Sequence, residues 1–397
     1  MSVPAGYKMT ELGVLPNDWD AKPLNSLKPF ITSGSRGWAK YYAETGDAFV
    51  RITNLSRENI YPDLSDLRCV KLPESENEGT RTALCNGDVL VSITADIGII
   101  GYVDDRVPKP AYINQHIATV RVDQTQANPK FLSYFLATEG SQRRVRATTD
   151  AGAKAGMSLT GVGNLLAAIP PTVAEQSAIA EALSDMDEAI AALEAVIAKK
   201  CALKTATMQA LLSGTRRLPG FSGEWESRPL AALCSMKSGF GITSKSLSDY
   251  GPYRCFGGNG FRGFTDRYTH EGVFPLVGRV GALCGNVTLA EGKFFASEHA
   301  IVVSPNSDTS ALWLAIVLRD LNLNKFSEAS AQPVLVVSKL LLIHCLTPPT
   351  KDEQDAIASV AMDMDSDIAV DQAQLVKLRQ VKIGMMQQLL TGKIRLA

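Results

Sequence analysis

The segment Pro170-Pro171-Thr172-Val173-Ala174-Glu175-Gln176 returns as Pro348-Pro349-Thr350-Lys351-Asp352-Glu353-Gln354, 178 residues later. The register then holds for the rest of the copy. Asp185-Met186-Asp187 meets Asp363-Met364-Asp365, Met208-Gln209 meets Met386-Gln387, Leu211-Leu212 meets Leu389-Leu390, and Arg217-Leu218 meets Arg395-Leu396. From 170–218 against 348–396, 23 of 49 positions are identical without a gap. A repeat on this scale decides the architecture before any local propensity does, because each copy must find a place to bury the same apolar face. Two fainter echoes lie upstream. Trp19, Pro23, Leu24 and Leu27 recur as Trp225, Pro229, Leu230 and Leu233, while Gly98, Gln115 and His116 fall opposite Gly281, Glu298 and His299. The chain therefore reads as an entry motif, a variable domain and a long helix, then the same series again. The boundaries expected are 1–168, 169–214, 215–346 and 347–397.

Each repeated segment opens as a helix. Pro-Pro stops a helix running backwards, and Thr followed by Glu at the third position predicts a capping box. Apolar residues follow at alternating spacings of four and three: Ile179, Leu183, Met186, Ile190, Leu193 and Ile197, then Ile357, Ala361, Met364, Ile368, Leu375 and Leu378. That is a heptad seam, interrupted by Lys200 and Asp371. Gly214 and Gly392 close the helices, which at about 40 residues are roughly 60 Å long. A helix with one apolar stripe needs a partner, and the obvious one is its own repeat. Two helices separated by a whole domain can lie antiparallel, relating the halves by a pseudo-twofold axis.

Within 20–168, β-type runs such as Phe49-Val50-Arg51-Ile52, Val89 to Ile93 and Ile117 to Val120 precede a helix expected over Lys130 to Arg146. Within 226–346 the runs are Val273 to Val277 and Ala300 to Val303, then a helix near Ala311 to Leu321. The fold class expected is α+β: two mixed α/β domains joined by two long helices packed as an antiparallel coiled coil.

Three phrases resemble a known family, the specificity subunits of type I restriction-modification systems. They are Leu12-Gly13-Val14-Leu15-Pro16-Asn17-Asp18-Trp19 at the start, Leu211 to Phe221 with Trp225 in the middle, and Gln387 to Leu396 at the end. The resemblance implies two target-recognition domains, each reading one half of a split, asymmetric site in double-stranded DNA. It implies that the helices form a spacer, and that two modification subunits dock on them and carry the S-adenosylmethionine chemistry. Restriction subunits can join these, and no cofactor is expected on this chain. A coiled-coil scaffold with protein-binding domains is the alternative. It should show no salt-dependent DNA binding, whereas phosphate contacts weaken steeply with salt.

Base edges are read by Arg, Lys, Asn and Gln, and phosphates fix the register. In the first domain the best candidates are the loop holding Arg36, Lys40 and Tyr41, then Arg51 and Asn54 on the following strand. Arg143, Arg144, Arg146 and Lys154 suit phosphates. In the second domain the glycine-rich loop carries Arg254, Asn259, Phe261 and Arg262, with Lys237, Lys245, Arg267 and Arg279 as further candidates. His116 and His299 are expected to be core or strand-end residues rather than catalytic ones.

Net charge is −1, so any surface for phosphate is local or shared with a partner. Residues 215–346 carry 13 basic and 10 acidic side chains, against 3 and 6 in 172–213. A methyltransferase is disfavoured: Phe256 to Gly260 is a weak glycine-rich match, and the Pro-Pro pairs lack the flanking acid or amide and aromatic of an amino-methyltransferase motif. Pro62-Asp63 has no acid-x-Lys partner for a nuclease, and no phosphate-binding Gly-x-x-x-x-Gly-Lys-Ser/Thr loop occurs. The seven cysteines form no zinc or disulfide pattern and are expected to be buried thiols. With no apolar run of about 20 residues and no leader pattern, no membrane association is expected, and the cytoplasm is the compartment anticipated.

Overall fold

The computed structural model describes residues 3–73, 78–150, 156–328 and 333–396. The helices that position everything else are α1 (Pro129–Ala137), α2 (Glu139–Asp150), α3 (Val173–Leu212), α4 (Ala311–Asp320) and α5 (Lys351–Leu389). Contacts divide the chain into two compact units, Met1–Glu194 with Ala373–Ala397, and Ala195–Gln372. Each unit takes half of α3 and half of α5. Among the described residues no helix is long and apolar enough to cross a membrane.

In the first unit the strands that frame the candidate site are β1 (Phe30–Ser33), β2 (Asp47–Val50), β3 (Val89–Ser92), β4 (Ile100–Tyr102), β5 (Ala111–Ile113) and β6 (Ile117–Arg121). One sheet has the order β1-β6-β3-β4, antiparallel throughout. β5 and β2 pair in parallel in a second sheet. In the second unit they are β7 (Cys234–Ser238), β8 (Tyr253–Gly257), β9 (Gly260–Thr265), β10 (His270–Gly278), β11 (Val287–Ala296) and β12 (Ala300–Pro305). Here one six-stranded sheet runs β7-β12-β10-β11-β8-β9. Its first four strands repeat the order and antiparallel sense of β1-β6-β3-β4. β8 pairs in parallel with the end of β11, as β2 does with β5. The difference is that β4 and β5 are separate strands, whereas β11 is one ten-residue strand.

The helix expected over Lys130 to Arg146 is two helices. Thr138 is extended (φ −61°, ψ 147°). Its hydroxyl donates to Phe135 O at 2.7 Å and accepts from Ser141 N at 3.4 Å, a local hydrogen-bonding alternative that competes with helix continuation. The cysteines also depart from expectation: Cys234, Cys255, Cys284 and Cys345 are buried, but Cys85 and Cys201 are exposed and Cys69 is half-buried.

The repeated Pro-Pro-Thr-x-x-Glu-Gln has a task for each polar residue, and both units use it alike. Thr172 Oγ1 accepts from Glu175 N at 3.2 Å, and Thr350 Oγ1 from Glu353 N at 3.3 Å, capping the long helices. The reciprocal arm of the expected capping box is replaced by ion pairs to arginine. Glu175 accepts from Arg395 (Nη2 to Oε2, 2.8 Å) and Glu353 from Arg217 (Nη2 to Oε2, 2.7 Å). The two glutamines, each 1% exposed, clamp the helix that packs on the sheet. Gln176 accepts from Asn128 N at 2.7 Å and donates to Pro170 O; Gln354 accepts from Ser310 N at 2.8 Å and donates to Pro348 O. Asn128 and Ser310 are themselves the N-caps of α1 and α4.

Inside each unit the two long helices lie against one another in opposite directions. In the first unit Ile179 and Leu183 share a core with Leu389 and Leu390, and Glu194 pairs with Arg379 at 2.7 Å. In the second, Met208 and Leu211 share a core with Ile357 and Ala361. Lys200, which breaks the seam, meets the other break: its ammonium is 2.7 Å from Asp371 and 2.8 Å from Asp367. Burial thins along the middle of each helix, where Leu193, Ile197, Leu375 and Leu378 are only half-buried, as is Met186.

Candidate nucleic-acid interface

The shared four strands end, at the same edge, in the loops where the units differ. Gly34 and Gly239 let the chain leave β1 and β7 hard against a neighbouring strand: a Cβ would lie 2.1 Å from Ile113 O at the first and 2.2 Å from Ala296 O at the second. The turn after β3 bonds to the turn before β6 through Ile93 N and His116 O (2.8 Å), and Arg279 N and His299 O (2.9 Å) do the same in the second unit. His116 and His299 thus occupy one fold position, at the start of β6 and β12. Gly98 corresponds to Gly285 rather than Gly281. Both adopt positive φ (89° and 87°), and their amides donate back to Ser92 O and Gly278 O.

In the first unit the exit loop is held by its aromatic residue. Trp38, 3% exposed, stacks on Phe49 at 4.9 Å and meets Tyr41 edge-on at 6.1 Å. This leaves Arg36 and Lys40 exposed, the Lys40 ammonium 4.6 Å from the Tyr41 ring centre. Two arginines tie the loops together: Arg81 donates to Ser33 O (3.0 Å) and Ser35 Oγ (2.9 Å), and Arg57 to Ile97 O (3.0 Å) and Gln142 Oε1 (2.5 Å). In the second unit β8 and β9 form a hairpin whose two-residue tip is Gly258-Asn259. The tip, the turn Val280–Leu283, Arg262 and His299 enclose a concavity of about 470 Å³.

The family model for the type I restriction modification DNA specificity domain matches the chain twice, over residues 22–200 and 222–380. The chain belongs to that family. A specificity subunit of the EcoprrI type I restriction enzyme of Escherichia coli is 37% identical over 147 residues, 36% of each chain. A putative type I restriction enzyme specificity subunit of Haemophilus influenzae is 26% identical over 144 residues, 35% of this chain and 37% of the other. The matched stretch thus spans about a third of the length of these curated relatives. The S subunit of a type I system from M. genitalium shares the fold, with a TM-score of 0.66 at 16% identity over 98% of both chains. A chain from a structure describing assembly and conformational transition of a type I system gives 0.56 at 15% identity, over 96% of this chain and 99% of that one.

With the specificity family established, the candidate residues sort by position. Arg36, Lys40 and half-buried Tyr41 lie on the exit loop of the first unit. Arg51 and Asn54 lie on a short 3-10 turn after β2, and not on the strand expected. Asn54 is 2% exposed, accepts from Arg51 N and donates to Asp63 O at 2.8 Å; Arg51 donates to Asp66 O and Oδ2, both at 2.8 Å. Asn54 thereby spends its amide inside the turn, and Arg51 is tied to the same turn through one guanidinium nitrogen. Arg143 and Arg144 line a separate cleft of about 880 Å³ with α1, α3 and α5 residues including Tyr134, Asp187 and Lys382. Burial, with Arg143 alongside, lowers the Arg144 pKa. Arg146 pairs with Glu139 at 2.7 Å. Lys154 lies outside the described residues.

In the second unit Lys237, Lys245 and Arg254 are exposed on β7, a short 3-10 turn and β8. Arg267 lies over the Phe295 ring at 5.3 Å. Phe261 is 52% exposed and meets Phe264 edge-on. Arg279 is half-buried and donates to Ser238 Oγ at 3.1 Å. Asn259 and Arg262 are the two that share the concavity. Sequence reasoning missed Arg57, Arg81 and the glutamine clamps. For the clamps a signal existed, since Gln176 and Gln354 belong to the most faithful part of the repeat.

Proposed function

We propose that this chain is the DNA-reading subunit of a type I restriction-modification complex. One observation carries the reading: the same four antiparallel strands occur in both units and end in loops of different length and chemistry. A common scaffold with unlike tips is what reading two unlike half-sites requires. The first tip offers Arg36 and Lys40, the second Asn259 and Arg262, with Lys237, Lys245, Arg254 and Arg267 available to phosphates.

The long helices act on this reading as an antiparallel coiled coil related by a pseudo-twofold axis, and they fix the gap between half-sites as symmetry does in dimeric binders. Exposed aliphatics on them, including Val196, Leu203, Val370, Val376 and Ile383, support docking of two modification subunits. Those subunits bring S-adenosylmethionine and the methyl transfer, and restriction subunits join the same frame. The chain contributes no catalytic step and works in the cytoplasm.

The test is a genome-wide map of modified adenines in host cells with and without the chain. A split motif with a fixed gap, present only with the chain, is the expected result. A single continuous motif, or no dependence on the chain, rejects the reading.

A further inference from the structure

We infer that the concavity beside the hairpin tip of the second unit is a base-reading notch, with Arg262 and Asn259 as specificity-determining residues. This rests on the DNA-reading function proposed above and names the groups that set letters of one half-site. The notch sets a hairpin that its counterpart lacks against a turn and a histidine, Val280–Leu283 and His299, whose positions the two units share. After β8 the chain turns back at once through Gly258-Asn259, whereas after β2 it enters the turn locked by Arg51, Asn54, Asp63 and Asp66.

The notch is also stiff, which discrimination needs. At Gly278 a Cβ would lie 2.1 Å from Gly258 O, so the tip is pressed against β10 backbone to backbone. At Gly257 a Cβ would lie 2.3 Å from Arg262 Cδ, so the arginine's stem crosses the strand directly over this glycine. A register shift between Cys255 and Phe256 adds twist to the hairpin, as bulges do. The guanidinium and the Asn259 amide are thereby carried on a fixed frame, and both residues are exposed.

The lining chemistry matches base edges in a major groove. An Arg fork fits guanine O6 and N7, and an Asn amide fits adenine N6 and N7. Leu283, 54% exposed on the opposite wall, suits a thymine methyl. His299, 3.4 Å from Glu298 Oε1, closes the side. A phosphate would bind the same fork, but it makes no use of the apolar wall that Leu283 supplies.

The experiment maps modified adenines in cells carrying the full chain with its partner subunits, as wild type, Arg262→Ala, Arg262→Lys and Asn259→Ala. Both positions are exposed, and recovery of the assembled complex checks folding. The expected result is that one position of one half-site becomes degenerate, with discrimination there falling roughly 5- to 150-fold. The other half-site and the gap stay unchanged. Arg262→Lys should relax the same position as Arg262→Ala, because lysine keeps the charge but not the fork. An unchanged motif with uniformly lower occupancy, restored by lysine, makes Arg262 a phosphate contact and overturns the inference alone. Absence of a split motif in the wild type overturns the functional reading beneath it.

Discussion

Asp187 and Asp365 are the same residue in the two copies of the repeat, yet they sit in different surroundings. Asp187 pairs with Lys382, and the two side chains are 5% and 11% exposed; Tyr134 also donates to Asp187 Oδ2 at 2.7 Å. Asp365 pairs with Lys204, the repeat equivalent of Lys382, at 56% and 29% exposure. Removing Asp187 strands a buried ammonium, which costs about 3–5 kcal/mol. Removing Asp365 leaves Lys204 to water and should cost less than about 1 kcal/mol. Urea unfolding of Asp187→Ala and Asp365→Ala checks this, and equal losses would show that burial does not set the difference. The proton on Asp18 offers a second check. Hydrogen bonds from Arg395, 2.9 and 3.0 Å long, hold its carboxyl below the ordinary aspartate value. A depressed carboxylate stabilises the fold above its unfolded pKa, and that contribution is lost as pH falls through the folded value. In Arg395→Ala the Asp18 titration followed by carbon NMR should move back up; no movement would exclude the pairing. Residue roles were the least legible level. Arg51 and Asn54 carry the side-chain types that read bases, and they also hold a turn through Asp63 and Asp66, acceptors that local spacing does not announce.

Elements were more legible, because periodicity survives local variation. The 4-3 spacing marks residues that are buried at Ile179, Leu183, Ile190, Ile357, Ala361 and Ile368 and half-buried elsewhere along it, with Lys200 and Asp371 continuing the spacing as a pair. The caps were legible in part. Thr172 and Thr350 do cap, but the glutamates turn to arginines that lie at the far end of the other copy, a partnership that local spacing does not encode. The glutamine clamp is the element-scale feature with the clearest consequence. In Gln176→Ala the half-buried amide of Asn128 and the carbonyl of Pro170 lose this partner, and in Gln354→Ala the buried amide of Ser310 and the carbonyl of Pro348 do. Each substitution should destabilise by about 1–3 kcal/mol, with similar shifts in thermal unfolding because the same bonds are made twice. A loss at one position alone would mean that the repeat's shared letters do not share a job.

At the scale of the whole molecule, copy and unit are not the same thing. Glu175 from the first copy binds Arg395 from the second, while Glu353 from the second binds Arg217 from the first. The repeat was legible as sequence identity; this exchange was not, because identity says which residues are alike and nothing of which ones meet. It follows that α3 and α5 each run from one unit into the other, with the boundaries falling at Glu194 and Gln372. On the proposed reading the helices set the gap between half-sites and the sheet tips set the letters, so the two properties should be separable. Inserting seven residues after Glu194 and seven after Gln372 keeps the seam in phase. The helices lengthen by about 10.5 Å at 1.5 Å per residue, which is roughly three base pairs at 3.4 Å each. The modified-adenine map of that variant should show both half-sites letter for letter and a gap about three base pairs longer. Altered letters, or an unaltered gap, would mean that the helices do not act as the spacer.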